Sequence, residues 1–491
     1  MSLVTDYLQY ANDNGACIGG VQPLNGQLSI FGDIFMKHYF VLFDKTQSSP
    51  QTPDSSSPER EAKAVQPVGV KDVLSVIGAD GKVDWRSVDG YLHLPGQINW
   101  LSWLSKPHQY LVHHFLTGVT QCISLHPSIH AEYCSALAPL ALNKEHGVHL
   151  LSACLVAAAR HRQSLGHKYN DSYIDKLATL SIGHLARQPI GKNNKINQAA
   201  AATALVLCIA EIQAGGEKPD TWKIHLKGAK AILATQENDQ PDSPTLRLLR
   251  RWCQSLDILS MSAGKPSAVP NLLNKVDPGY IDMFEGFSTS LVPIFQEMAE
   301  VGRDAVAIQT LQAASAPGSA IHTLAQTLRH RCIRLDQQIG MQAYIPCRVR
   351  DLSLTVVDGT FHDYQALNEI YHHAARLEIR INLLLKPLDD PETMDIVKAG
   401  VACLKRMELK WSRPACKTLH SAFSIGSAAH DKDDRAFIID WLDRLNQLFA
   451  MGNVLHARTI LLEHWERLDA GLPFMRPRAL AGKKGWDLIF Y

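Results

Sequence analysis

AAAATALVLCIAEIQAGGEKPDTWKIHLKGAKAILA, residues 199–234, decides how this chain folds. Its first part, AAAATALVLCIAEI, is apolar on nearly every side, whereas a helix that lies on a surface keeps a polar flank. The helix it forms is therefore expected to be central and wrapped by others. The apolar run from Ala199 to Ala210 falls short of the roughly 18 residues that a membrane span requires. After a polar loop with two glycines the pattern changes: Trp222, His225, Leu226, Ala229, Ile232 and Leu233 share one helical face and leave Lys223, Lys227 and Lys230 to water. Gly228 and Ala229, small and mid-helix, are expected to admit a neighbouring helix closely, at about 1 kcal/mol of helix propensity for the glycine. Trp222 should anchor the helix start against the same neighbour.

The same period runs outward in both directions. Upstream, Leu150, Leu151, Cys154, Leu155 and Ala158 fall on one face. Downstream, Leu367, Ile370, Tyr371, Ala374, Leu377, Ile381 and Leu384 form a long stripe that Lys386 and Pro387 end, because proline cannot continue a helix. A third stripe, Phe437, Ile438, Trp441, Leu442, Leu445, Leu448 and Phe449, is expected to close at Gly452 and Asn453, residues that tolerate a left-handed cap. Leu455, Leu462, Trp465 and Leu468 should carry the next helix inward. Strand-like alternation is rare from Lys106 onward, and no fixed repeat is evident, so the expected fold is all-α, a large irregular array of antiparallel helix hairpins.

Residues 1–45 read as a short N-terminal segment and 46–67 as a disordered linker, because Thr46–Pro67 is rich in Ser, Pro and charge and cannot offset its ordering entropy by burial. Residues 68–105 read as an irregular lead-in, 106–475 as the helical body and 476–491 as a C-terminal tail. Polar loops at Asn238–Pro244 and Gly264–Pro270 divide the body. The N-terminus has no basic region followed by an apolar one, so no secretory signal is expected.

Lys and Arg number 49 against 48 Asp and Glu, so no general positive field exists to hold a phosphate backbone. The clusters Arg247, Arg250, Arg251 and Lys483, Lys484 read as solvated faces. The ten cysteines are sparse, with no C-x-x-C, and several sit in apolar helical runs, where a free thiol packs as a small hydrophobe.

Three segments together resemble the fungal-specific transcription factor domain, the helical region downstream of the zinc cluster in fungal regulators. The first runs from LVHHFLTGVTQCIS at Leu111 to LAPLALNKEHGVHLLSACLVAAARH, ending at His161. The second is residues 199–234, with an Ala/Leu helix, an acidic-Ile pair, Trp222 and H-L-x-G-A. The third is SIGSAAHDKDDRAFIIDWLDRL followed by GNVLHARTILLEHW, with Arg435, Trp441, Asn453 and Trp465 in order. The resemblance covers roughly residues 106 to 470. It implies a transcription regulator or co-regulator that senses a metabolite or a partner protein, with a fungal secondary-metabolite pathway as one setting, in the nucleus or else the cytoplasm. It also implies a protein partner or homodimer and a possible small-molecule effector. One departure is upstream: the family's zinc cluster needs six closely spaced cysteines, and this chain has only Cys17 before residue 122. DNA contact through this polypeptide is then only indirect, with no membrane involved.

No G-x-G-x-x-G, Walker-type loop, G-x-S-x-G or H-E-x-x-H is present, and Gly215-Gly216 followed by Glu217-Lys218 has the wrong spacing for a phosphate loop. His146 and His149 share a helical face but lack a third ligand nearby. The doublets His113, His114 and His372, His373 point to different faces. Glu463, His464 and Glu466 could line a cleft, while Asp431, Asp433 and Asp434 fit a helix N-terminus through the macrodipole. No residue is assigned to catalysis, a cofactor or a metal. The alternative to a regulator is an enzyme built from the same domain, a cyclase or isomerase of a hydrophobic metabolite, in which a shaped apolar pocket with one acid drives the reaction.

Overall fold

The computed structural model describes residues 20–24, 27–31, 101, 103–188, 194–215, 221–236, 242–262, 279–314, 319–343, 345–349, 361–407, 409 and 413–487. The linker expected at 46–67, and most of the lead-in and of the two dividing loops, lie outside these residues. The chain forms two units, Met1–Pro95 and Gly96–Tyr491. In the first, β1 (Gly20–Leu24) pairs antiparallel with β2 (Gln27–Phe31), Leu24 opposite Gln27.

The second unit is all-α. Among its described residues the strands are a short parallel pair, β3 (Tyr280–Ile281) and β4 (Arg348–Val349). Its first half is built on α5 (Asn194–Gln213). Against α5 pack α2 (Pro127–Ala141), α3 (Val148–Ser164), α4 (Asp171–Leu185), α6 (Thr221–Ala234) and α7 (Pro244–Ser262), while α1 (Lys106–His114) packs on α3. By length and composition α5 could cross a membrane, yet 89% of Ile196–Gln213 is buried within the protein. It is the central helix that its all-round apolar sequence predicts, and each enclosed Leu or Ile contributes about 1.5–3 kcal/mol.

The second half is built on α10 (Phe361–Glu378), which touches α9 (Ser319–Gln342), α11 (Pro391–Arg406) and α12 (Leu419–Ala428). Here α8 (Leu291–Ala314) pairs with α9, and α13 (Lys432–Phe449), α14 (Gly452–Asp469) and α15 (Pro477–Lys483) follow. Every residue of the stripe from Leu367 to Leu384 is buried. The halves meet where α7 packs on α8 and α14 on α5. They also meet at Lys417, on the 3-10 turn Arg413–Thr418, whose side chain is buried. Its Nζ donates to Ser255 Oγ of α7 (2.9 Å) and Phe284 O (2.9 Å) and lies 3.3 Å from Glu285 Oε2. A buried charge needs such a full set of partners.

Several local expectations change. A methyl group at Gly228 would meet no atom within 4 Å, so the close approach on α6 belongs to Ala229, which is fully buried. Lys230 is not left to water but pairs with Asp257 of α7. Trp222 anchors the far end of the chain: its Nε1 donates to Asp487 Oδ2 (3.1 Å), which Lys223 also approaches at 2.7 Å. Trp486 stacks on His456 with ring centroids 4.0 Å apart. The cap of α13 is Ala450, not Gly452, with φ 47°. Gly452 instead begins α14, at a point where a Cβ would lie 2.5 Å from Gln213 O. On α14 the buried residues include Val454, Ala457, Ile460, Leu461, His464 and Trp465, while Leu455 is exposed. The expected face was displaced because His464, counted as polar, turns inward and donates from Nε2 to Ser427 O at 3.1 Å.

Candidate functional site

Gln365, Glu369 and His373 follow one another at four-residue spacing, so α10 carries them in one row, their Cβ atoms roughly 5–6 Å apart. The apolar stripe on the same helix turns into the core, which leaves this polar row facing the end of α9 and the segment before β4. Between the two lies a cavity of about 270 Å³ lined by Gln365, Asn368, Glu369 and His373 on one side and Ala343, Ile345, Pro346 and Cys347 on the other.

The floor is fixed by hydrogen bonds. Asn368 Oδ1 accepts from the Ser288 backbone N–H (2.7 Å), which holds the amide so that its Nδ2 donates to Cys347 Sγ (3.3 Å). Cys347 in turn donates to Ile345 O (3.2 Å). Glu369 Oε2 accepts from Arg406 and from Cys403 Sγ (3.4 Å). His373 is 8% exposed, and its Nδ1 has no hydrogen-bond partner. Burial, with His372 adding to it, pushes the His373 pKa down to about 4, so the ring is neutral at physiological pH. The Gln365 carboxamide makes no hydrogen bond to any described residue. No Lys or Arg is among the described residues that line it. The site thus offers a partnered carboxylate, a neutral imidazole and a free amide, facing an apolar wall: features of a binding site more than of an acid and base matched to neutral pH.

The candidate residues read from the sequence are placed elsewhere or serve the fold. His149 is buried and donates from Nδ1 to Thr203 Oγ1 (2.6 Å), while His146 faces Glu145 at 3.8 Å, and no group of three metal-ligating side chains occurs among the described residues. His114 and His113 do part: His114 Nε2 donates to His161 Nδ1 (3.0 Å), and His161 Nε2 donates to Phe449 O (2.9 Å). Asp431 caps α13, accepting from the N–H groups of Asp433 and Asp434. Glu463 pairs with Lys484. Of the basic cluster, Arg250 pairs with Asp242 and Arg251 with Asp282. Gly216–Lys218 lies outside the described residues. The doublet His372, His373 was read for ligation alone, and the row Gln365, Glu369, His373 was missed; its four-residue period, beside the apolar stripe of the same helix, was the available signal.

The description "fungal specific transcription factor domain" belongs to the family model that matches residues 109–491, nearly the whole helical unit, and no zinc-cluster domain is detected. A second model, that of eukaryotic aspartyl proteases, matches residues 2–51, a stretch too short to show membership. No curated protein and no solved structure matches the chain. Over most of its length, the all-α unit included, the chain belongs to the fungal-specific transcription factor domain family.

Proposed function

We propose that this chain is the sensing part of a transcription regulator or co-regulator, working in the nucleus, and that a separate chain contacts the DNA. Membership of a transcription factor domain family carries the regulatory reading. The division of labour is supported by the charge pattern: three of the five basic side chains that cluster in sequence are paired within the protein, Arg250 with Asp242, Arg251 with Asp282 and Lys484 with Glu463, which leaves the exposed Arg247 and Lys483 as isolated cations and no continuous basic face. A surface that binds phosphates keeps its cations free. Sensing is supported by the cavity beside α10, whose floor is fixed by the hydrogen bonds of Asn368 to Ser288 and Cys347.

Fusing the full chain to an unrelated DNA-binding domain, with that domain's operator ahead of a reporter gene in a fungal host, tests the reading. Expression should change several-fold relative to the DNA-binding domain alone. A reporter that stays level, while the fusion is expressed and bound at the operator, rules out the regulatory role. No observation favours the enzyme alternative: in this cavity Glu369 is held by Arg406 and His373 is too weak a base at neutral pH.

A further inference from the structure

We infer that the apolar knuckle formed by Leu385 and the segment Leu472–Phe474 is an interface between two copies of this chain. The inference stands apart from the cavity beside α10 and from the regulatory reading. It begins at the end of α10, which runs on through the π-helical turn Ile379–Leu383. That turn closes where the Lys386 N–H donates to Arg380 O (2.8 Å), and Leu385, just before it, has φ 53°. A helix end takes this left-handed conformation most readily with glycine, because a side chain there crowds the backbone. No burial offsets the strain, since Leu385 is 64% exposed. A leucine that is strained and also bare to water gains nothing within a single copy, and such outliers gather where a surface has work to do.

The segment after α14 completes the knuckle. Arg476 Nη2 donates to Asn382 O (2.5 Å), which draws that segment alongside the turn. On it Leu472 is 46% and Phe474 44% exposed, and Pro473 between them and Pro387 beyond Leu385 are exposed as well. Phe474 is braced from behind by the His464 ring, edge to face with centroids 5.7 Å apart. An apolar centre of this kind, rimmed by charge, has the anatomy of a protein interface. The rim then selects the partner. Beside Leu472 stands Arg467, whose carbonyl accepts from the Leu472 N–H (3.0 Å) and whose guanidinium pairs with no carboxylate among the described residues. Beyond Leu385 stands the exposed Asp389, which pairs with no cation among them, whereas Lys386 is engaged by Asp390 (3.9 Å). A face with an unpaired cation on one side and an unpaired anion on the other complements itself: a two-fold axis through the apolar centre sets each Arg467 toward the Asp389 of the second copy. A partner of one sign would be repelled at one rim.

Sedimentation velocity of the full chain from about 1 to 100 µM is the test, and it should show monomer and dimer in equilibrium. Leu385→Gly removes the apolar tip and suits the left-handed backbone, so its urea midpoint should be no lower than the wild type's while the dimer dissociation constant rises at least about tenfold. Asp389→Arg and Arg467→Glu should each be monomeric alone, because either variant sets two like-charged pairs across the axis. An equimolar mixture of the two should dimerise again, because the mixed pair restores both contacts. Should Arg467→Glu fail to fold, Asp389→Arg decides alone, since its residue is exposed and serves no contact in the fold. A wild-type chain that stays monomeric across the range gives the face to a different protein and overturns the inference. A dimer undisturbed by Leu385→Gly or by Asp389→Arg overturns it too, as do two folded charge variants that stay apart when mixed.

Discussion

At Gly452 the chain turns from α13 into α14 so close to α5 that a methyl group would lie 2.5 Å from Gln213 O. The obstacle is backbone at the end of the central helix, which cannot swing aside as a side chain can. Gly452→Ala should therefore destabilise the protein by roughly 1–3 kcal/mol, read as a lower urea midpoint at unchanged slope. Gly228 predicts the opposite sign. It sits inside α6 with open space where its Cβ would be, so Gly228→Ala should stabilise by up to about 1 kcal/mol, and a loss of stability would show a contact that the geometry lacks. Both glycines were read otherwise from sequence, Gly228 as a packing contact and Gly452 as a cap. A glycine's lack of a side chain is visible in sequence, but what approaches it is not: the atom facing Gly452 belongs to a residue more than two hundred positions away.

Between elements, the join of α9, α10 and α11 is held by two arginines, Arg376 bonding Asp336 (2.7 Å) and Glu392 (2.6 Å) and Arg380 lying deeper beside it. Arg380, 3% exposed, donates to Asp336 of α9 (2.8 Å), to Asp390 at the cap of α11 (2.6 Å) and to Glu392 (2.8 Å), with Nε on Thr393 Oγ1 (3.1 Å). Removing Arg380 deprives Asp390 of its close cation and leaves Asp336 and Glu392 to Arg376 alone, so Arg380→Ala should cost about 3 kcal/mol. Arg380→Met with Asp336→Leu should restore part of that in the same urea measurement, since a packed apolar pair needs no compensating charge. If the double variant is no better than the single one, the loss is of packing and not of charge. None of this network was legible in the sequence, because its members come from three helices and ion pairing leaves no period. The helices themselves were legible: α5, α6 and α10 follow from their apolar spacing, since that spacing is imposed by the burial that holds the fold together. The face of α14 was misread where a histidine, polar by type, turns inward, and the site row on α10 was overlooked because attention to the apolar stripe leaves the opposite face undescribed.

Taken as a whole, the helical unit encloses several imidazoles that burial keeps neutral. Burial lowers the pKa of His114, His149, His372 and His373 to about 4 and that of His420 to about 3. They are shared between the two halves, so the whole unit should respond to acid together. In the unfolded chain each ring titrates near 6.5, so between that pH and about 4 the unfolded state binds more protons than the folded one, and stability rises with pH. The contribution is fully present above about 6.5 and is lost as pH falls toward 4. For one ring it reaches roughly 3 kcal/mol. Carboxylates act lower: Asp390 and Asp469 are held below the ordinary range by arginine partners despite some desolvation, so their loss follows that of the histidines. The urea midpoint should accordingly be level from about pH 8 to 7 and fall steeply by about pH 5. His149→Asn keeps a donor toward Thr203 Oγ1 but cannot take up a proton, so its decline over the same interval should be shallower. A wild-type midpoint that holds steady down to pH 5, or a His149→Asn slope equal to the wild type's, would show that these rings are hydrated and not sealed in the core.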